Sequence, residues 1–314
     1  MSKKFAFLFP GQGAQEPGML KDICEAFPAA RKVLDKISEI TGVDMTKLLW
    51  ESDKETLSRS DNSQLAITAA SVCTMEVLKE KGIEPSYAMG FSLGEFPALY
   101  AAGVLSFEDL IKVVQKRGQI MQKVCEDIAA ENAGHAPGMS AILGLAPEKV
   151  IEVCSSIPNV YAANMNSVKQ TVISGTFDGL DTAEKAFTEA GARRCVRLAV
   201  AGPFHSPLMQ KAADEFEKAI ADVTFNAPKI ALYSNVTGKQ STDPAEIKKN
   251  AVLHLTNPVQ WTSEEAVLAS ALTEEDKVLE VGPGRVLGGL WKQTEAGEKW
   301  VCDSINTVDG INAL

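Results

Sequence analysis

No two of the six cysteines, at positions 24, 73, 125, 154, 195 and 302, form a C-x-x-C pair. That spacing excludes a zinc ribbon and offers no disulfide framework, so the thiols read as reduced core residues and no metal is expected. Basic charge is in deficit: 31 lysines and arginines stand against 41 aspartates and glutamates, a formal net charge of -10. Such a chain presents no field to nucleic acid or anionic lipid, so neither is expected as a partner. Long apolar runs are missing too. The run "FAFLF" after Lys4 lasts five residues before Pro10 and Gly11 end it, too short for a signal peptide or a membrane span, which makes the cytoplasm the expected location. Histidine is scarce, with only His135, His205 and His254. There is no internal repeat and no low-complexity tract. What the chain does have is length: 314 residues at 45% hydrophobic content are enough for one large core with room for a second, smaller domain.

"KFAFLF" reads as a buried strand ending in the glycine-rich loop "PGQGAQ". Helical periodicity follows over 20–40 and 62–81, and "PSYAMG" reads as a second buried strand. Strand, helices, strand is the rhythm of an α/β sheet. Ser106 and Asp109 open a further helix with a capping-box pattern, continuing to about residue 130. Between 139 and 200 the order becomes β-α-β-β-α-β, which matches a ferredoxin-like unit. "KVLEVGPG" later returns to the α/β rhythm. The expected organisation is therefore an α/β core built from residues 1–130 and 201–314, with residues 131–200 forming an inserted ferredoxin-like α+β subdomain.

Between the second strand and the following helix lies Gly90-Phe91-Ser92-Leu93-Gly94. It fits G-x-S-x-G, the turn on which small flanking residues let a serine hydroxyl stand clear of a sheet. A serine needs a base. His205 in "AGPFHSP" is held between Pro203 and Pro207, where a restrained backbone could present an imidazole. His135 lies in a Gly/Pro loop, and His254 follows apolar residues and could simply pack. An oxyanion would need backbone donors, for which the amide of Leu93 and, from the "PGQGAQ" loop, that of Gln12 are the candidates.

Arg117 falls on the apolar face of its helix, three or four residues from Val113, Val114, Ile120 and Met121. A buried guanidinium requires a partner. Two remain open: a protein carboxylate such as Glu95, or a substrate carboxylate gripped by the planar fork. A serine nucleophile beside a fixed cation suggests an acyl group with its own carboxylate, of which malonate is the smallest common example.

At this point "FPGQGAQ", "GFSLGE", "QKRGQIMQ", "GPFHS", "NPVQW" and "EVGPGRVL" together resemble the malonyl-CoA:acyl carrier protein transacylase family of fatty acid synthesis and the related acyltransferase domains of polyketide synthases. The resemblance spans nearly the whole chain. It implies a hydrolase-like α/β core with a parallel sheet and a ferredoxin-like insert, with Ser92 as the malonylated nucleophile and His205 as base. Arg117 would hold the carboxylate, and the Gln12 and Leu93 amides would face the oxyanion. It further implies that Gln260 orients the histidine through its main-chain carbonyl, that Asn166 lines the cleft, and that Phe204 narrows the space for a branched acyl group. Malonyl-CoA and acyl carrier protein would be the partners, no cofactor would be needed beyond the coenzyme A thioester as substrate, and a monomer is expected. Two departures stand out. Phe91 occupies the place beside the nucleophile where the family usually writes histidine, and Pro97 falls a turn inside the next helix, where a kink is expected. The rival readings are a serine hydrolase and a scaffold that only binds carrier protein.

Overall fold

Phe5–Phe9 is apolar at every position because both of its faces are covered: Phe7 and Phe9 join one buried cluster, Ala6 and Leu8 the other. In the computed structural model, which describes residues 3–314, this strand, β1, lies inside a six-stranded sheet. In chain order the strands are β1 (Phe5–Phe9), β2 (Tyr87–Gly90), β3 (Gly138–Leu143), β4 (Val160–Ser167), β5 (Gln170–Gly175), β6 (Arg194–Arg197), β7 (Ala231–Ser234), β8 (Lys239–Ser241), β9 (Lys277–Val281) and β10 (Cys302–Ile305). The large sheet has the order β10-β9-β1-β2-β7-β8 and is parallel except for β8 on β7.

The second sheet is antiparallel, in the order β4-β5-β3-β6. Helices Pro147–Ser155 and Phe177–Glu189 cover it through a separate cluster around Ile142, Ile173 and Phe187. This is the ferredoxin-like order. Strand β4 is tied to the loop before helix Trp261–Ala271, where Met165 N–H donates to the Val259 carbonyl at 3.0 Å and Val259 N–H to the Ala163 carbonyl at 2.8 Å. The mixed α/β architecture is thus a parallel core sheet with a separate antiparallel sheet docked against its edge connections.

Helix Phe107–Glu131 starts where Ser106 Oγ accepts from Asp109 N–H at 3.1 Å. It packs on helix Ser60–Glu80 so closely at Gly118 that a Cβ there would meet the Ser60 carbonyl at 2.8 Å. That approach seals Arg117 between the two helices.

Three expectations need correction. The helix expected over 20–40 is broken into Lys21–Ala26 and Pro28–Thr41, because Pro28 forces Phe27 into an extended conformation (φ -123°, ψ 109°). Pro97 interrupts no bond within its helix: it is the third residue of Glu95–Ala101, in the first turn, where amides have no partner within the helix. Helices Gln210–Ala219 and Pro244–Leu253 and strands β8 and β10 were not singled out from the sequence, since their short or mixed patterns carry little period. Among the described residues no helix is long and apolar enough to cross a membrane.

Candidate active site

The elbow at the end of β2 is tight enough that its glycines are sterically required. A Cβ on Gly90 would overlap the Gly94 backbone, and one on Gly94 would overlap the Phe9 carbonyl, so the turn is pressed against the end of β1. Phe91 N–H donates to the Phe9 carbonyl and Gly94 N–H to the Phe91 carbonyl, both at 2.9 Å. Between them Ser92 takes a left-handed conformation with φ 51°. For a residue with a side chain that strain is on the order of 1–3 kcal/mol, so the surroundings must impose it.

His205 is held the same way, at φ 57°. Ser206 Oγ ties the loop to the Pro203 carbonyl at 2.6 Å, and Ser174 Oγ of β5 donates to the Phe204 carbonyl. The second sheet therefore braces the histidine loop. Ser92 Oγ lies 2.9 Å from His205 Nε2, and His205 Nδ1 lies 2.8 Å from the His254 carbonyl. A carbonyl can only accept, so Nδ1 carries the proton and Nε2 is left to accept from the serine hydroxyl. Burial, and then the nearby Arg117 charge, push the His205 pKa down to about 4, which keeps the imidazole neutral at pH 7.

The carbonyl that orients the histidine belongs to His254 and not to Gln260, which corrects the expectation. Gln260 caps helix Trp261–Ala271: its carbonyl accepts from Ser263 and Glu264 N–H, each at 3.1 Å, and its own N–H donates to the Asn235 carbonyl at 2.8 Å. His254 is the C-cap of helix Pro244–Leu253, where the last carbonyls have no helical partner and are free for another donor. Its ring is fully buried, with centroids 5.1 Å from that of His205. No local pattern distinguishes this carbonyl from its neighbours; only the docking of the His205 loop does.

Arg117 is 1% exposed. Its Nη1 donates to Gln64 Oε1 at 2.8 Å, its guanidinium stands 5.2 Å over the Phe96 ring, and Nε and Nη2 have no partner among the described residues. Burial lowers its pKa to about 10, so it remains a cation at pH 7. Glu95, the alternative partner, makes no ion pair with it among the described residues. Its carboxylate instead accepts from Asn235 N–H at 3.3 Å, and burial raises its pKa to about 8. No carboxylate among the described residues forms an ion pair with Arg117, which leaves its Nε and Nη2 nitrogens for another acceptor.

Gln12, Ser92, Arg117, Asn166, Phe204 and His205 all line one cleft of 340 Å³ at the carboxyl ends of β1 and β2, roofed by side chains of β3, β4 and β5. Leu93 is buried directly behind Ser92, and Gln260 is outside the lining. The Gln12 backbone N–H makes no hydrogen bond within the described residues, whereas the next backbone N–H, of Gly13, is taken by Gln15 Oε1 at 2.8 Å. Asn166 Oδ1 is buried without a partner among the described residues. Phe91 packs edge-on against Trp261 at 5.3 Å, so the residue before Ser92 is part of an aromatic wall. His135 is exposed and far from this set, 4.0 Å from Asp178. Gln64, Asn235 and the His254 carbonyl are the parts that sequence reasoning missed. Among the described residues no group of three or more His, Cys, Asp or Glu could hold a metal ion.

A strained serine on a parallel-sheet elbow, hydrogen-bonded to a neutral histidine in a cleft roofed by a second sheet, defines an α/β-hydrolase-like protein with a serine–histidine site. The acyl transferase domain family matches residues 6–302, and the chain belongs to that family. A Bacillus subtilis (strain 168) protein named malonyl CoA-acyl carrier protein transacylase is 37% identical over 305 residues, covering 96% of this chain and 93% of that protein. The Haemophilus influenzae protein of the same name is 38% identical over 320 residues, covering 99% and 98%. Among solved structures, an acyl carrier protein S-malonyltransferase from Vibrio cholerae has a TM-score of 0.91 at 36% identity, covering 99% of both chains. A malonyl-transacylase in complex with a type II PKS acyl-carrier protein has a TM-score of 0.91 at 33% identity, covering 99% of this chain and 98% of that one.

Proposed function

We propose that this protein is a malonyl-CoA:acyl carrier protein S-malonyltransferase that supplies chain extension in fatty acid or polyketide synthesis. The observation that carries this reading is the half-satisfied Arg117 guanidinium, buried in the same cleft as the Ser92–His205 pair. A cation costs several kcal/mol to bury, and a planar carboxylate accepting from Nε and Nη2 would offset that cost.

In the first half-reaction His205 Nε2 takes the proton from Ser92 Oγ as the oxygen attacks the thioester carbonyl. The tetrahedral oxyanion is met by the Leu93 and Gln12 amides, each such donor being worth ~3 kcal/mol in the transition state. The C–S bond then breaks, and His205 returns the proton to the departing coenzyme A thiolate. Malonyl remains esterified on Ser92. In the second half-reaction the phosphopantetheine thiol of the carrier protein gives its proton to His205 and attacks the ester, and the proton then restores the serine hydroxyl. Phe204 narrows the cleft against a branched acyl group, and Asn166 supplies a further polar contact. No resident cofactor takes part. The enzyme acts as a cytoplasmic monomer, with residues 1–130 and 201–314 as catalytic core and 131–200 as the insert that roofs the cleft. Intact-mass measurement tests the reading: malonyl-CoA should add one malonyl group to the protein, and carrier protein should then remove it. Absence of the adduct, or its release as free malonate at the same rate without carrier protein, would refute it.

Because His205 must be neutral to act as base, the pH profile of acylation follows from its environment. The fraction of base is full above about pH 5 and is lost as pH falls through about 4. A carboxylate bound on Arg117 cancels the charge that disfavours the imidazolium, so the acid limb in kcat should lie above that in kcat/KM. Rapid-quench acylation between pH 3.5 and 8 should show both; an acid limb in kcat/KM at the ordinary histidine value of 6.5 would contradict the assignment.

A further inference from the structure

Asn235 follows β7 directly and is 0% exposed. Its side chain accepts from Ser92 N–H at 2.7 Å and donates through Nδ2 to the Gly90 carbonyl at 2.7 Å and to Glu264 Oε1 at 2.8 Å. Its backbone N–H donates to Glu95 Oε2 at 3.3 Å, and its carbonyl accepts from Gln260 N–H at 2.8 Å. We propose that Asn235 is a positioning residue that clamps the elbow from the end of the neighbouring strand β7 and holds Ser92 in its left-handed conformation, an inference that rests on the reading of Ser92 as nucleophile.

The chemistry of the contacts allows few alternatives. The Ser92 N–H needs an acceptor and the Gly90 carbonyl needs a donor, on either side of Phe91. A carboxamide offers one acceptor and two donors in a single rigid plane, and here Oδ1 and both hydrogens of Nδ2 are used. The amide orientation is fixed by that pattern, because reversing it would set donor against donor at Ser92. Glu264 is fully buried and takes the second Nδ2 hydrogen, so the amide cannot turn away. Clamping the peptide planes on both sides of Phe91 fixes where the Cα–Cβ bond of Ser92 points, and hence the 2.9 Å contact with His205. It also fixes the direction of the Leu93 amide that follows. A displacement of ~1 Å at a reacting atom costs on the order of 10²-fold in rate.

The test compares the full-length wild type with Asn235→Ala and Asn235→Asp. Four quantities are followed: the melting transition, sulfonylation of Ser92 by phenylmethanesulfonyl fluoride, malonylation by malonyl-CoA in single turnover, and malonyl-CoA affinity in a Ser92→Ala background. Asn235→Ala should slow both modifications about 10²-fold per folded molecule while affinity stays within about twofold. Asn235→Asp keeps the volume and the acceptor for Ser92 but loses the donors to Gly90 and Glu264, and should also slow both modifications. Wild-type rates per folded molecule in either variant, or a loss confined to affinity, would overturn the proposal. Should the alanine variant fail to fold, the aspartate variant decides. Wild-type protein that is sulfonylated but never malonylated would refute the transferase reading instead, and the sulfonyl reagent would still decide the role of Asn235.

Discussion

Ser92→Ala should leave no acyl-enzyme when the protein is mixed with malonyl-CoA, and transfer to carrier protein should fall on the order of 10⁵- to 10⁶-fold, the scale seen when a nucleophile acting as part of a unit is removed. The fold should tolerate the change. Ser92 Oγ contributes one hydrogen bond, to His205 Nε2, and the elbow is shaped by Gly90, Gly94 and backbone contacts that alanine keeps. Alanine bears the left-handed φ of 51° no better than serine, but no worse. Malonyl-CoA affinity should therefore survive, because Arg117 and the cleft walls are intact. Intact mass and titration calorimetry on the same sample check both halves: an adduct of full stoichiometry on the variant would remove Ser92 from the chemistry.

Arg117→Ala should invert the acyl preference. Two charge-assisted hydrogen bonds, each worth about 1.5–3 kcal/mol, are lost to malonyl, which corresponds to a fall of roughly 10²- to 10⁴-fold in kcat/KM. Acetyl-CoA, which has no carboxylate to leave facing an orphan cation, should be unharmed or improved. The ratio of the two kcat/KM values is the measurement, and an unchanged ratio would contradict a carboxylate clamp. A second effect follows from charge. Arg117 helps to hold the His205 pKa down, so its removal should move the acid limb of the kcat/KM profile to higher pH. Loss of stability alone would not move that limb.

The departures from the family pattern have plain structural answers. Phe91 keeps its ring in contact with Trp261 and close to Gly11, so the position is filled by packing in the wall of the cleft. Pro97 lies where a helix has amides to spare.

The sequence by itself was enough for the elements whose signal is local. The G-x-S-x-G turn between a strand and a helix, the β-α-β-β-α-β run, the capping pattern at Ser106 and the cation on an apolar helix face depend on neighbours within a few residues, and periodicity and sterics act over that range. With three histidines in the chain, the search for a base was nearly exhaustive. The sequence could not say which carbonyl would face His205, whether Glu95 would neutralise Arg117, or that Asn235 would reach Ser92 from 143 positions away. Those outcomes belong to the tertiary structure, because hydrogen bonds between distant segments are selected by how sheets and loops dock, and nothing within a few residues of either partner encodes the match.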